Sequence, residues 1–203
     1  MNVRLKPSRA FIACLAAAGF TAVALVLPLW GFAMSAPQYP GETLHLQVAR
    51  DGIVGDVGEV STLQKYIGVA FPRELPELRW ATRAIAALSV LLVVGAFVGS
   101  GRAGRAYRVA CAAACLVFLA ASATAVQVRL YRVGHERAAN APIRAVHDFT
   151  PPLVGPAKVG NFTVWSFPHA GALFLLGAAA LSVAGARTRT RRESPPARDK
   201  AAA

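Results

Sequence analysis

Four apolar runs limit what this chain can fold into: Ala10 to Ala33, Ala81 to Val98, Ala106 to Val128, and Phe167 to Ala186. Each approaches the ~20 residues that a helix needs to cross a ~30 Å hydrocarbon core. No carboxylate falls in any of them, and Arg83 and Arg108 sit near run ends, where a long side chain can snorkel. Pro28 interrupts only the outer end of the first run, where a kink is tolerated in lipid. With 55% hydrophobic and 16% charged residues gathered this way, the sequence predicts an all-α membrane protein. Its expected form is four transmembrane helices carrying a small extracytoplasmic strand-turn-strand-helix cap.

Basic residues set the expected orientation. Arg4, Lys6 and Arg9 precede the first run, and Arg102, Arg105 and Arg108 lie at the turn between the second and third. Arg187, Arg189, Arg191, Arg192, Arg198 and Lys200 follow the fourth. All three groups fall on one side of a four-helix chain, so both termini are expected in the cytoplasm of a bacterial inner membrane. The expected partition is residues 1–33 as N-terminus and first helix, 34–80 as cap, and 81–130 as the second and third helices. Residues 131–166 follow as an outer loop, 167–186 as the fourth helix and 187–203 as a polar, disordered tail. A cleaved signal sequence is also compatible with the small residues around Ala33-Met34-Ser35-Ala36, but the run is about twice the usual ~7–15-residue apolar core. A retained helix is preferred. The net charge of +12 is concentrated beside the membrane, which reads as topology and lipid attraction rather than nucleic-acid binding.

The two outer segments carry the candidate chemistry. In the first, Leu44-His45-Leu46-Gln47-Val48 alternates like a half-buried strand, Asp51-Gly52 marks a turn, and Ile53-Val54 returns as a second strand. Asp56 and Glu59 then open a helix in capping-box fashion, with Val57, Val60, Leu63 and Ile67 on one face and Gly68 as its C-terminal cap. The second segment is rich in Pro and Gly, a spacing that argues against a long helix or a central strand. Its Phe149, Phe162, Trp165 and Phe167 favour an ordered loop packed on the cap.

His45, His135, His147 and His169 all fall on the outer side under this topology. Imidazoles there suit copper or zinc, and His135, His147 and His45 are the candidate metal ligands. His135 and His147 stand beside Glu136 and Asp148, which could orient the rings. The bland alternative is that all four simply hydrogen-bond at the interface. Cys14, Cys111 and Cys115 lie at similar depth but sit among small residues, so helix packing is the preferred reading over a thiolate site. Hydrolase, nucleotide-binding and zinc-protease motifs are absent from the sequence. A non-enzymatic role is expected.

Trp30, Ala36-Pro37-Gln38-Tyr39-Pro40, Gly55-Asp56-Val57-Gly58-Glu59-Val60 and Gln64-Lys65-Tyr66-Ile67-Gly68-Val69 form one set of motifs. Gly134-His135, Ala141-Pro142-Ile143, Pro151-Pro152, Gly155, Asn161-Phe162, Ser166, Pro168 and Gly171 form another. Together they resemble a family of small four-helix bacterial membrane proteins encoded near nitrous-oxide reductase and other copper-protein maturation genes. Where that family's pattern has His and Met, this chain has Lys65 and Val69, so part of the implied ligand set is missing. The resemblance implies an inner-membrane accessory protein that assists assembly of a periplasmic copper or redox protein. Docking would run through Pro37, Gln38, Tyr39, Pro40, Pro151, Pro152, Asn161 and Phe162, with copper as a conceivable cofactor. The alternative is a small transporter subunit whose outer cap gates a substrate. A third reading, a binder of lipid or solute, requires a roomy apolar cavity under the cap.

Overall fold

A computed structural model describes residues 8–35, 37, 41–49, 52–67, 76–99, 101–135, 149–159 and 161–188. The elements run α1 (Arg9–Ala24), β1 (Trp30–Ser35), β2 (Thr43–Ala49), β3 (Gly52–Gly55), α2 (Val57–Ile67), a 3-10 turn (Pro76–Leu78), α3 (Ala81–Phe97), α4 (Arg102–His135), β4 (Gly155–Val159), β5 (Phe162–Pro168) and α5 (Ala170–Arg187). Helices α1, α3, α4 and α5 form a bundle. The five strands form one antiparallel sheet in the order β3-β2-β1-β5-β4.

The sheet overturns the all-α expectation, and the helix lengths overturn the four-span one. Among the described residues, only α4 and α5 are helices long and apolar enough to cross a membrane. Helices α1 and α3 have 16 and 17 residues, about 24 and 26 Å at 1.5 Å per residue, short of the ~30 Å core. The first apolar run divides because Pro28 has no N–H to continue a helix and biases the residue before it toward extended backbone. α1, started by the Ser8 hydroxyl accepting from the Phe11 N–H at 3.1 Å, therefore ends at Ala24. Beyond Pro28 the same apolar composition becomes β1, whose Trp30 and Phe32 face inward beside Val48 and Leu46 of β2.

The fourth run divides in the same way. Phe167 belongs to β5, and α5 starts only at Ala170. β5 lies inside the sheet between β1 and β4, against the expectation of an irregular loop. Pro156 sits on β4, at the sheet edge, where a missing donor is tolerated. β2 and β3 occupy the alternating segment, and Gly55 leaves β3 at φ 112°, where a Cβ would strike the His45 carbonyl. Only glycine fits both demands. Asp56 precedes α2, and its Oδ2 accepts from the His45 backbone N–H of β2 at 2.7 Å. The expected Gly68 cap lies outside the described residues.

The third run is extended rather than divided. α4 has 34 residues, about 51 Å, and serves both halves of the molecule. Its Cys111, Cys115 and Phe118 join the bundle core, while Val126 and Leu130 pack under the sheet with Trp30, Phe32, Leu46 and Val60.

Candidate functional site

In the bundle, α1 and α5 meet mostly through small residues; Ile85, Leu88, Leu92, Phe118 and Leu175 fill the core, and many other large apolar side chains face outward. α1 buries Ala10, Cys14, Ala17, Ala18, Thr21 and Ala24, and its main partner α5 buries Gly171, Ala172, Leu175, Ala178, Ala179, Ser182, Gly185 and Ala186. Val26 is 77% exposed, Val117 67% and Val90 63%. A bundle surrounded by water would leave fewer such large apolar side chains exposed. Small residues at the helix contacts are the signature of packing in lipid.

Buried polarity in the bundle is sparse and mostly satisfied locally. Ser89 donates to the Thr21 hydroxyl at 2.8 Å, Thr21 to the Ala18 carbonyl at 2.9 Å, and Ser182 to the Ala178 carbonyl at 2.9 Å. No carboxylate is buried among the described residues. The expected snorkelling of Arg108 is corrected: it is 3% exposed, turned inward, and donates from Nη2 to the Val98 carbonyl at 2.7 Å. Arg83 is exposed.

Bundle and cap meet at the α1–β1 linker. Gly171 N–H donates to the Pro28 carbonyl at 2.9 Å, His169 N–H to the Leu29 carbonyl at 3.0 Å, and Leu29 N–H to the Val48 carbonyl at 2.9 Å. Two amides at the start of α5, where no preceding turn supplies acceptors, are thus satisfied by the linker backbone. A Cβ on Gly171 would lie 2.8 Å from the Pro28 oxygen and 2.9 Å from that of Leu27. Beside this junction, Trp30 Nε1 donates to Ser166 Oγ at 2.8 Å, and Ser166 Oγ donates to the Leu153 carbonyl at 2.7 Å. This buried relay joins β1, β5 and the segment before β4. Sequence reasoning picked out Trp30 and Ser166 only as motif positions, because their pairing spans 136 residues. A narrow apolar recess nearby, between Leu25, Leu29, Val48 and Ile85, is not the roomy chamber that the lipid-binder reading requires.

The sheet's outer face points away from the bundle. One register row carries His45, Ala33, Trp165 and Pro156, and the next carries Val54, Gln47, Gly31 and Phe167. Trp165 is 52% exposed and Val54 44%. These two rows carry no Lys, Arg, Asp or Glu, and their exposed aromatic, apolar and proline residues suit protein contact. Among the expected docking residues, Pro37 and Asn161 are exposed on turns. Pro151 is buried and accepts from Gln127 Nε2 at 3.2 Å, Pro152 is half-buried, and Phe162 is buried in the cap. Pro151 and Phe162 therefore hold the cap together rather than present it. Gln38, Tyr39 and Pro40 lie outside the described residues.

The candidate ligands sit on different elements. His45 is exposed on the outer face of β2. His135, at the end of α4, stacks on Tyr131 at 4.0 Å and bonds through Nδ1 to the Tyr131 carbonyl at 2.8 Å. His169 stacks loosely on Phe167 at the start of α5, and its Nδ1 is buried without a hydrogen-bond partner among the described residues. His147 is outside the described residues. The described residues include no group of three or more His, Cys, Asp or Glu that could hold a metal. Cys14, Cys111 and Cys115 are buried free thiols, with Cys111 and Cys115 in the bundle core.

No protein-family model matches this chain, and no curated protein matches it.

Proposed function

We propose that this chain is a non-enzymatic membrane accessory protein, anchored by α4 and α5, that holds its five-stranded cap outside the bilayer as a docking surface. The carrying observation is the number of large apolar side chains that the bundle exposes while α1 and α5 meet through small residues, an arrangement that suits hydrocarbon outside the bundle. α4 and α5 run antiparallel, and the positive-inside tendency assigns the end bearing Arg9, Arg102, Arg105 and Arg187 to the cytoplasm of a bacterial inner membrane. The cap then faces the periplasm, with Trp165 and Val54 available to a partner. The motif resemblance directs the choice of partner to a periplasmic copper or redox protein under assembly, with no metal site assigned to this chain. The absence of a buried carboxylate or continuous polar path among the described residues argues against a transporter subunit.

Three experiments test this reading. The full chain should resist carbonate extraction from membranes. Asn161→Cys should react with an impermeant maleimide in intact cells, and Ala103→Cys only after disruption, with the buried native thiols supplying the background. A photo-crosslinking residue at Trp165 should trap a periplasmic redox or copper protein, while one at Val117 should meet lipid. Labelling of Ala103→Cys in intact cells, or identical crosslink patterns at Trp165 and Val117, would refute the assignment.

A further inference from the structure

We infer that the end of the bundle opposite the cap retains an anionic phospholipid, its phosphate held by Arg108 and the exposed arginines around it; this rests on the membrane reading above. Four element ends converge there. A Cβ on Gly185 of α5 would lie 3.2 Å from Ala13 Cβ of α1 and 3.6 Å from Arg108 Cδ of α4. Arg108 reaches the Val98 carbonyl just past α3, and the Phe11 and Phe97 rings meet edge to face at 5.6 Å.

Charge and apolar surface point to the same ligand. Arg9, Arg102, Arg105 and Arg187 are exposed at this end, whereas the acidic residues among those described, Glu42, Asp56, Glu59 and Glu77, all belong to the cap and its junction. Arg108 is a buried cation whose Nε has no hydrogen-bond partner among the described residues, and a charge so placed calls for a counter-ion. Its guanidinium lies along Gly104, with Nη1 3.4 Å from where a Cβ would stand, within two turns of the helix start. The arginines also adjoin exposed hydrocarbon: Phe97 is 75% exposed, Ile12 53% and Val109 49%. A ligand with an anionic phosphate and two acyl chains satisfies both surfaces. Free phosphate satisfies only the first.

The test uses the full chain reconstituted in phosphatidylcholine vesicles with trace spin-labelled phosphatidylglycerol or phosphatidylcholine, reading the immobilised fraction by electron paramagnetic resonance. Wild type should prefer the anionic label by about five-fold or more, the ratio that one arginine near an anionic leaflet supplies. Arg102→Gln/Arg105→Gln/Arg187→Gln, all exposed positions, should bring the ratio toward one without loss of insertion. Arg108→Gln should lower it further if that variant folds. An inserted wild type without preference, or an exposed-site variant that keeps the full preference, overturns the inference and leaves the membrane reading intact. Failure to insert removes both. Loss of the preference in millimolar inorganic phosphate at constant ionic strength overturns the lipid assignment in favour of free phosphate.

Discussion

Ser166→Ala should be far more costly than the loss of one hydroxyl suggests. Ser166 is 1% exposed and serves at once as acceptor for the Trp30 indole and donor to the Leu153 carbonyl. Alanine leaves both without partners. An unsatisfied buried polar group costs about 1–3 kcal/mol. The indole, on a residue 8% exposed, bears the larger share, and the carbonyl of half-buried Leu153 regains some hydration. The sum is about 2–4 kcal/mol, or roughly 4–16 °C in apparent Tm at ~2–4 °C per kcal/mol for a chain of this size. Trp30→Phe removes the indole donor in advance, so Ser166→Ala in that background should cost about 1–2 kcal/mol less than in wild type. Thermal unfolding of the four proteins in one detergent, followed by far-ultraviolet circular dichroism, completes the cycle. Additivity within ~0.5 kcal/mol, the usual outcome for uncoupled sites, would show that the relay carries no energy and refute the reasoning.

Gly171→Ala should destabilise by at least about 2 kcal/mol, because the new methyl meets two fixed backbone oxygens at 2.8 and 2.9 Å. Gly19→Ala, with nothing within 4 Å, should be neutral or favourable by up to ~1 kcal/mol; equal melting shifts would contradict the junction geometry. Phe162→Ala should cost about 3–5 kcal/mol through the cavity it leaves, whereas Trp165→Ala should change stability by under ~1 kcal/mol and weaken capture of the partner by a photo-crosslinking residue placed at exposed Val54. One alanine inserted between Ala120 and Ala121 should rotate the outer part of α4 by about 100° and take Val126 and Leu130 out of the cap core. Protease digestion should then degrade the cap and spare the bundle; a cap as resistant as wild type would show that its register with α4 is unimportant.

Local signals were legible, and non-local ones were not. The Leu44 to Val48 alternation, the turn at Gly52 and the helix after Asp56 are short-range patterns, and the structure places β2, β3 and α2 there. Hydropathy reports that Trp30 to Ala33 is apolar but cannot say that its backbone pairs with β5, more than 130 residues on. So the outer end of the first run was read as helix and β5 as loop. Phe162-Thr163-Val164-Trp165-Ser166-Phe167 did carry the aromatic and β-branched composition of a strand, but the surrounding prolines and glycines masked it. Of the residues expected to dock, Asn161 is exposed, whereas the exposure of Trp165 and Val54 on one sheet face follows only from the register β3-β2-β1-β5. The histidines looked like one inventory because topology put them on one side of a membrane, whereas the structure sets His45 on β2, His135 at the end of α4 and His169 at the start of α5.

The strand order also dictates when the cap can exist. β1 emerges from the ribosome early, with β2 close behind, but its other neighbour, β5, directly precedes α5, the last of the described helices. Until then β1 has one edge of unsatisfied backbone groups, the condition that invites pairing with foreign strands. Such late, long-range closure slows folding and prolongs exposure of incomplete intermediates. Trp30 waits for Ser166, and the Pro28 and Leu29 carbonyls wait for the start of α5, so relay and junction close in the same final step. A nascent chain halted before Phe162 would carry three of its four bundle helices and an open-edged half sheet, unable to present the surface that its completed form offers.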